Sequence, residues 1–228
     1  LSRMRVNNDG YLCVIIERTD MAILKIYNEI TTEEGKQINR WCMGTDGVCF
    51  KAIDEFVAAM DENDKSIDVR IHCEGGSVTE GWAIYDKLRH TDKEITCTVE
   101  GKCASMATVV LMAAPKERRR AYQNAKFCVH NPFMPAFALG EYVTADDLER
   151  TGKQLREEQE RILNLYVERC GCDKEEMQSL MNDDKYIDSE KAMAIGLIGE
   201  VLAPVSAKKE ENNIINKKEE MNEKKVEV

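Results

Sequence analysis

Gly101-Lys102-Cys103-Ala104-Ser105-Met106-Ala107, written GKCASMA, is the stretch on which the fold turns. Just before it, Ile95, Cys97 and Val99 alternate with polar neighbours, the period of a half-buried strand. Just after it, Thr108-Val109-Val110-Leu111-Met112-Ala113-Ala114 is apolar throughout, as a fully buried helix is. A strand therefore hands over to a buried helix around one hydroxyl, Ser105, flanked by small residues. Two readings of that hydroxyl compete. As a helix N-cap it would satisfy an orphan backbone amide. As a nucleophile it would gain from the free amides and positive dipole end of the same helix.

The same alternation extends outward. Upstream, 11–16 and 22–27 read as strands, and Cys49, Ile53, Phe56, Val57 and Met60 recur at helical spacing. Ile67, Val69 and Ile71 predict a strand that Glu74-Gly75-Gly76 breaks. Ser77 and Glu80 then have capping-box spacing, opening a helix with Val78, Trp82, Tyr85 and Leu88 on one face. Downstream, Lys126–Val129 reads as a strand. A long helix follows from Thr144 to Cys170, with Leu148, Leu155, Ile162 and Tyr166 as its stripe and Gly171 at its stop. Shorter helices are expected at 175–181 and from Ser189 to just before Gly196, then a last strand at 197–202. Strands alternating with helices predict an α/β fold with a largely parallel sheet, whose sites gather where strands end. Three such junctions stand out: Gly75-Gly76, Gly101 to Ser105, and His130-Asn131-Pro132.

Composition narrows the function. A chain of 228 residues holds one sizeable core, and a formal net charge of −10 argues against a nucleic-acid binder. The short basic run Lys116-Glu117-Arg118-Arg119-Arg120 reads as a solvated turn after a helix. No apolar run is long enough for a membrane span, and no apolar segment follows Leu1–Arg5 as in a signal peptide, so a cytoplasmic protein is expected. The absent initiator Met reads as trimming or truncation. Nine cysteines, an odd number set mostly in apolar segments, predict buried reduced thiols. Cys170-Gly171-Cys172 has no second Cys/His pair at zinc spacing, so no metal and no other cofactor is assigned. Residues 1–203 form the expected domain, and 204–228, rich in Lys, Glu and Asn, a charged disordered tail.

Acyl transfer by serine needs a base, an acid to orient it and two N–H donors for the oxyanion. The amide of Met106 and the Gly75-Gly76 backbone are candidate donors. Of three histidines, His90 lies in a charged surface stretch, while His72 and His130 both lie at predicted strand ends. Spacing does not choose between those two, and 42 acidic residues leave the orienting carboxylate open.

Gly101-x-x-Ala104-Ser105-Met106, His130-Asn131-Pro132 and Asp184-Lys185-Tyr186-Ile187, in this order, resemble the proteolytic subunit family of Clp proteases. The Ile71–Val78 turn with Gly81-x-x-Ile84-Tyr85-Asp86, and Ala192–Ile198, resemble further segments of that family, so the likeness runs over roughly residues 22 to 203. The likeness is nearest to the phage branch, the prohead (head maturation) proteases. It implies a crotonase-like fold of repeated ββα units with a long handle helix, and a serine endopeptidase acting on polypeptide, in a phage setting capsid or scaffold protein. By motif match Ser105 is the nucleophile, His130 the base and Asp184, beside Asp183, the orienting acid. Gly76 and Met106 match the oxyanion donors, and Phe133 to Tyr142 with the helix after it match the elements joining two rings. The family assembles as homo-oligomeric rings, of heptamer size or stacked as a double ring.

The chain departs from the family at Cys73-Glu74-Gly75-Gly76, where Ser-Pro-Gly-Gly is common, and at Gly199, where Asp is usual. Glu74 is expected to point away, because an inward carboxylate would oppose the oxyanion. The N-terminal segment does not resemble the axial loops that engage an AAA+ unfoldase, which counts against that partner. Two alternatives stand beside the peptidase: a non-catalytic scaffold of the same fold, kept alive by Glu74, and an acyl-CoA enzyme of the crotonase superfamily. Cys103 is read as packing, since no motif-matched base accompanies it.

Overall fold

Side chains on a strand point to alternate faces, and this chain uses that period in three long strands. The computed structural model describes residues 3–6, 12–15, 21–140 and 142–204. Tyr11 and Ile16 of the first expected strand, and the expected tail beyond Pro204, lie outside them. An antiparallel hairpin, β1 (Arg3–Val6) and β2 (Leu12–Ile15), comes first. Then come β3 (Met21–Ile30), α1 (Glu33–Met43), α2 (Phe50–Ala58), β4 (Ser66–Gly76), α3 (Val78–Arg89), β5 (Glu94–Ala104) and α4 (Met106–Leu111). A 3-10 turn (Lys116–Arg118) leads to β6 (Arg119–Tyr122) and β7 (Lys126–Cys128), and another (Ala136–Leu139) precedes α5 (Ala145–Cys170). The described part closes with α6 (Lys174–Asp183), β8 (Ile187–Asp188), α7 (Ser189–Ala194) and β9 (Glu200–Leu202).

The mixed α/β architecture centres on one mostly parallel sheet. Its order is β3-β4-β5-β6-β9, all parallel. β5 is long enough for two successive partners, β6 along Cys97–Val99 and β7 along Lys102–Ala104. β8 pairs antiparallel with β7. One face, with Ile26, Ile67, Val69, Ile71, Cys97 and Val99, is sealed by α3 and by α4, every residue of which is buried. Each such aliphatic side chain contributes about 1.5–3 kcal/mol on burial. The other face carries Tyr27, Asp68, Arg70, Thr98, Glu100 and Arg120 in a shared polar network. Asp68 is wholly buried, with Arg70 at 2.8 Å and the Thr98 hydroxyl at 3.0 Å to offset its desolvation.

Several boundaries differ from the sequence expectation. Gly75-Gly76 does not break β4: the ladder with β3 continues to Gly76↔Ile30, because glycine tolerates the positive φ of +99° and +137° found there. β5 likewise runs past the expected Ile95–Val99 strand, through Gly101 to Ala104. The basic run at 116–120 is not merely a solvated turn. Arg119 begins β6 and is fully buried, its guanidinium donating to the Arg169 carbonyl (2.7 Å) near the end of α5. Burial pushes its pKa down, and the carbonyl end of the helix is where a cation is best tolerated. The last strand is only Glu200–Leu202; Leu197 and Ile198 are buried in the turn after α7. In the expected capping box, the Ser77 hydroxyl accepts from the Glu80 amide (3.4 Å), but the Glu80 carboxylate accepts from the Phe50 amide (2.6 Å) instead.

Of the expected stripe of α5, only the end from Ile162 onward is buried; Leu148 is 54% exposed. No residue in the first half of this helix is buried among the described residues. Of the eight cysteines whose side chains are described, none is in a disulfide and six are buried. No helix among the described residues is long and apolar enough to cross a membrane.

Candidate active site

The hand-over from β5 to α4 leaves Ser105 with φ +52° and ψ −130°. A side chain there costs on the order of 1–3 kcal/mol unless its surroundings hold it. Here they do. The Ser105 amide donates to the Cys128 carbonyl of β7 (2.9 Å), and its carbonyl accepts from the Thr108 amide (2.9 Å) and hydroxyl (2.5 Å). The Thr108 hydroxyl is in turn 2.6 Å from the buried Tyr166 hydroxyl of α5. The Ser105 side chain makes no capping hydrogen bond, so the N-cap reading fails.

Gly75 lets β4 approach this turn. A Cβ on Gly75 would stand 2.5 Å from the Ser105 Cβ and 2.9 Å from the Met106 nitrogen. Gly76 lines the same opening, while a Cβ there would run into the Ile30 carbonyl of β3. Met106 is buried directly beneath Ser105 at the head of α4.

His130 follows β7 and is mostly buried, its ring 5.5 Å from that of Phe133. The His130 loop is tied to α6 by amides: Asn131 donates to Asn182 (2.9 Å) and Gln178 to Asn131 (3.3 Å). Asp184, at the C-terminal end of α6 with φ +48°, holds an oxygen 3.9 Å from His130 Nδ1. That is beyond hydrogen-bond length but within reach of a small loop movement. The Cys128 thiol, 3.6 Å from the same oxygen, is pushed up to about 11 by burial and by that carboxylate. Asp184, not Asp183, pairs with His130.

The other histidines lie elsewhere. His72 is on the polar face of β4, edge-on to Tyr27 (6.3 Å) and packed over Gly101. His90 is exposed at the end of α3. A cleft of about 700 Å³ opens at the ends of β3, β4, β5 and β7, lined among others by Glu29, Glu74, Gly76, Ser105, His130 and Phe133. Ligands of parallel sheets enter at this end. Behind Ser105 lies a hollow of about 20 Å³ against Val109, Ile162 and Tyr166.

Glu74 is among the residues that line this opening, with both of its carboxylate oxygens engaged by neighbouring side chains. Its carboxylate accepts from Lys102 and Tyr186, and these bonds hold its pKa below the usual value. Residue spacing did not reveal these partners, nor Phe133 against His130, although Tyr186 lies inside the Asp184–Ile187 motif and Cys128 two residues before His130. Cys103 is fully buried, and burial pushes its thiol far above the range of a reactive cysteine. Among the described residues no group of three or more His, Cys, Asp or Glu is placed to hold a metal ion.

The elements that build this cleft, from β3 to β9, all fall within residues 18–205, over which the sequence matches the family model of Clp protease. A match over most of the chain shows its membership: this protein belongs to the Clp protease family, which implies a serine peptidase.

Proposed function

We propose that the chain hydrolyses polypeptide as a serine endopeptidase, with Ser105 as nucleophile, His130 as general base and Asp184 as the carboxylate that orients it. The observation that carries this reading is Ser105 itself, an uncapped hydroxyl in a strained turn that shares one cleft with His130. With Nδ1 turned toward Asp184, Nε2 of His130 is left to take the Ser105 proton as Oγ bonds the scissile carbonyl carbon. The oxyanion is received by the backbone N–H groups of Gly76 and Met106, and His130 then protonates the leaving amine. Water, activated by His130, releases the acyl group from Ser105 by the same steps in reverse order.

We assign the crotonase-like arrangement of ββα units to the sheet and its helices, and the role of handle to α5. The exposed Leu148 on its outlying half supports a homo-oligomeric ring, of heptamer size or doubled, in which a neighbour covers that face. The setting we favour is phage head maturation in a bacterial cytoplasm, with capsid or scaffold protein as substrate and no AAA+ unfoldase. The second reading, a non-catalytic scaffold, is favoured by the 3.9 Å gap between His130 and Asp184.

Labelling with a fluorophosphonate, followed by peptide mapping, tests the proposal. The label is expected on Ser105 and absent in Ser105→Ala and His130→Ala. An assembled wild-type sample, shown so by light scattering, that takes no label would favour the scaffold.

A further inference from the structure

Glu74 occupies a position where the sequence departs from the family pattern, and the catalytic scheme above does not use it. Its surroundings give it a part. Glu74 is adjacent to Gly75, where an added Cβ would stand 2.5 Å from the Ser105 Cβ. One of its oxygens accepts from Lys102 of β5, three residues before Ser105. The other accepts from the Tyr186 hydroxyl, two residues after Asp184 and 112 positions away in sequence. Lys102 Nζ also lies 5.9 Å from the Tyr186 ring centroid, a cation–π distance. One carboxylate therefore joins the three segments that carry the glycine strand, Ser105 and Asp184.

The Asp184 segment has reason to need such a hold. Asp184 is 68% exposed, in a left-handed conformation, and its contact with His130 is long. After α6 ends at Asp183, the segment's next strand pairing comes at Ile187, where two residues of β8 pair with β7. Tyr186 fastens it from the opposite side, to β4. Both Glu74 oxygens being engaged, by a cation and a phenol, the carboxylate is not free to oppose charge at the oxyanion site.

We propose that Glu74, Lys102 and Tyr186 form a positioning clamp that holds the Asp184 loop in register with the glycine strand and the Ser105 turn. The proposal deepens, and rests on, the peptidase reading. The three residues act through Asp184 and His130; none touches the reacting atoms.

Hydrogen exchange and peptide hydrolysis, measured on the full chain as wild type, Glu74→Ala, Tyr186→Phe and the double variant, test it. In both single variants the amides of 184–188 are expected to exchange at least about tenfold faster, while those of α3 do not change. The value of kcat is expected to fall about tenfold or more with KM unchanged, since displacement of a positioned group acts on the chemical step. The double variant is expected to be no worse than the worse single one, because each change breaks the same link. Glu74→Gln, which keeps one acceptor oxygen, should fall between wild type and Glu74→Ala. Unchanged exchange at 184–188 would overturn the clamp, as would a raised KM with kcat intact, which would place Glu74 against substrate. Faster exchange in the variants with no fluorophosphonate label on wild-type Ser105 would sink the peptidase reading and still support the clamp, since exchange reads the hold on the loop.

Discussion

Ser105 is held in its strained backbone by neighbours with no room to spare, and Gly75 is the tightest of them. A methyl group there would lie 2.5 Å from the Ser105 Cβ and 2.7 Å from the Ala104 carbonyl, at a φ of +99° that side chains rarely adopt. Gly75→Ala is therefore expected to cost about 2–4 kcal/mol, from overpacking and backbone strain together, and to abolish fluorophosphonate labelling. Urea unfolding measures the first and mass spectrometry the second. Gly152 is the control: it sits in α5 with nothing within contact of an added Cβ, so Gly152→Ala should stabilise by about 0.5–1 kcal/mol. At this scale the sequence carried Ser105 and its junction, since a strand period ending at a hydroxyl and an apolar run is a local signal. His130 and His72 were indistinguishable by spacing, and their separation is a matter of sheet faces: His72 points to the polar face, whereas His130 lies beyond the end of β7. The partners of Glu74 were not legible, because they come from positions 28 and 112 residues away.

Elements were legible where one face is apolar and illegible where the signal was polar. α1 was not anticipated, because Ile38 and Trp41 on it are exposed and no buried stripe marks it. Its end signals were nonetheless present, Thr32 capping the Gly35 amide and Gly44 in the left-handed stop conformation. β6 was hidden by its arginines. α5 was clear from end to end, since Thr144 and Asp147 form a full capping box and Gly171 ends it with φ +69°. What the pattern did not convey is that α5 braces the head of α4 through a hydrogen bond between Tyr166 and Thr108, while Arg169 donates to the Met112 carbonyl at its other end. Tyr166→Phe removes that bond while Thr108 still reaches the Ser105 carbonyl. The expected cost is about 1 kcal/mol by urea unfolding. Because the Ser105 turn loses a brace rather than a ligand, labelling should slow without being lost. A variant that labels at the wild-type rate would show that the Ser105 turn does not depend on the Tyr166 bond.

For the molecule as a whole, the alternation of strand and helix conveyed the fold class, because a parallel sheet requires a crossover between its strands. It did not convey the polar face of the sheet, whose network joins Tyr27, Asp68, Arg70, Glu100 and Arg120 across four strands. That network and the Glu74 clamp together set how stability depends on pH. Hydrogen bonds from Lys102 and Tyr186 lower the pKa of Glu74; for Glu100, burial pushes upward but the bonds from Tyr27 and Arg70 outweigh it, and the pKa falls. Carboxylates with lowered native values contribute stability that is full above their unfolded value of about 4.3 and drains away as pH falls below it. The tyrosines act at the other end. Hydrogen bonding to Glu100 and to Glu74 pushes Tyr27 and Tyr186 each up to about 12. Their neutral forms are favoured in the fold, so their contribution is full below about pH 10 and is lost as pH climbs toward 12. The urea midpoint should therefore form a plateau through neutral pH with a fall on both sides. Burial pushes Cys73 and Cys170 up to about 11, onto the alkaline limb as well, so the decisive comparison is between variants. Tyr27→Phe deletes one of the raised phenols, and the loss of stability from about pH 10 upward should be shallower in it than in the wild type. An alkaline limb that runs parallel in the two proteins would show that the Tyr27–Glu100 bond does not couple the polar face to folding.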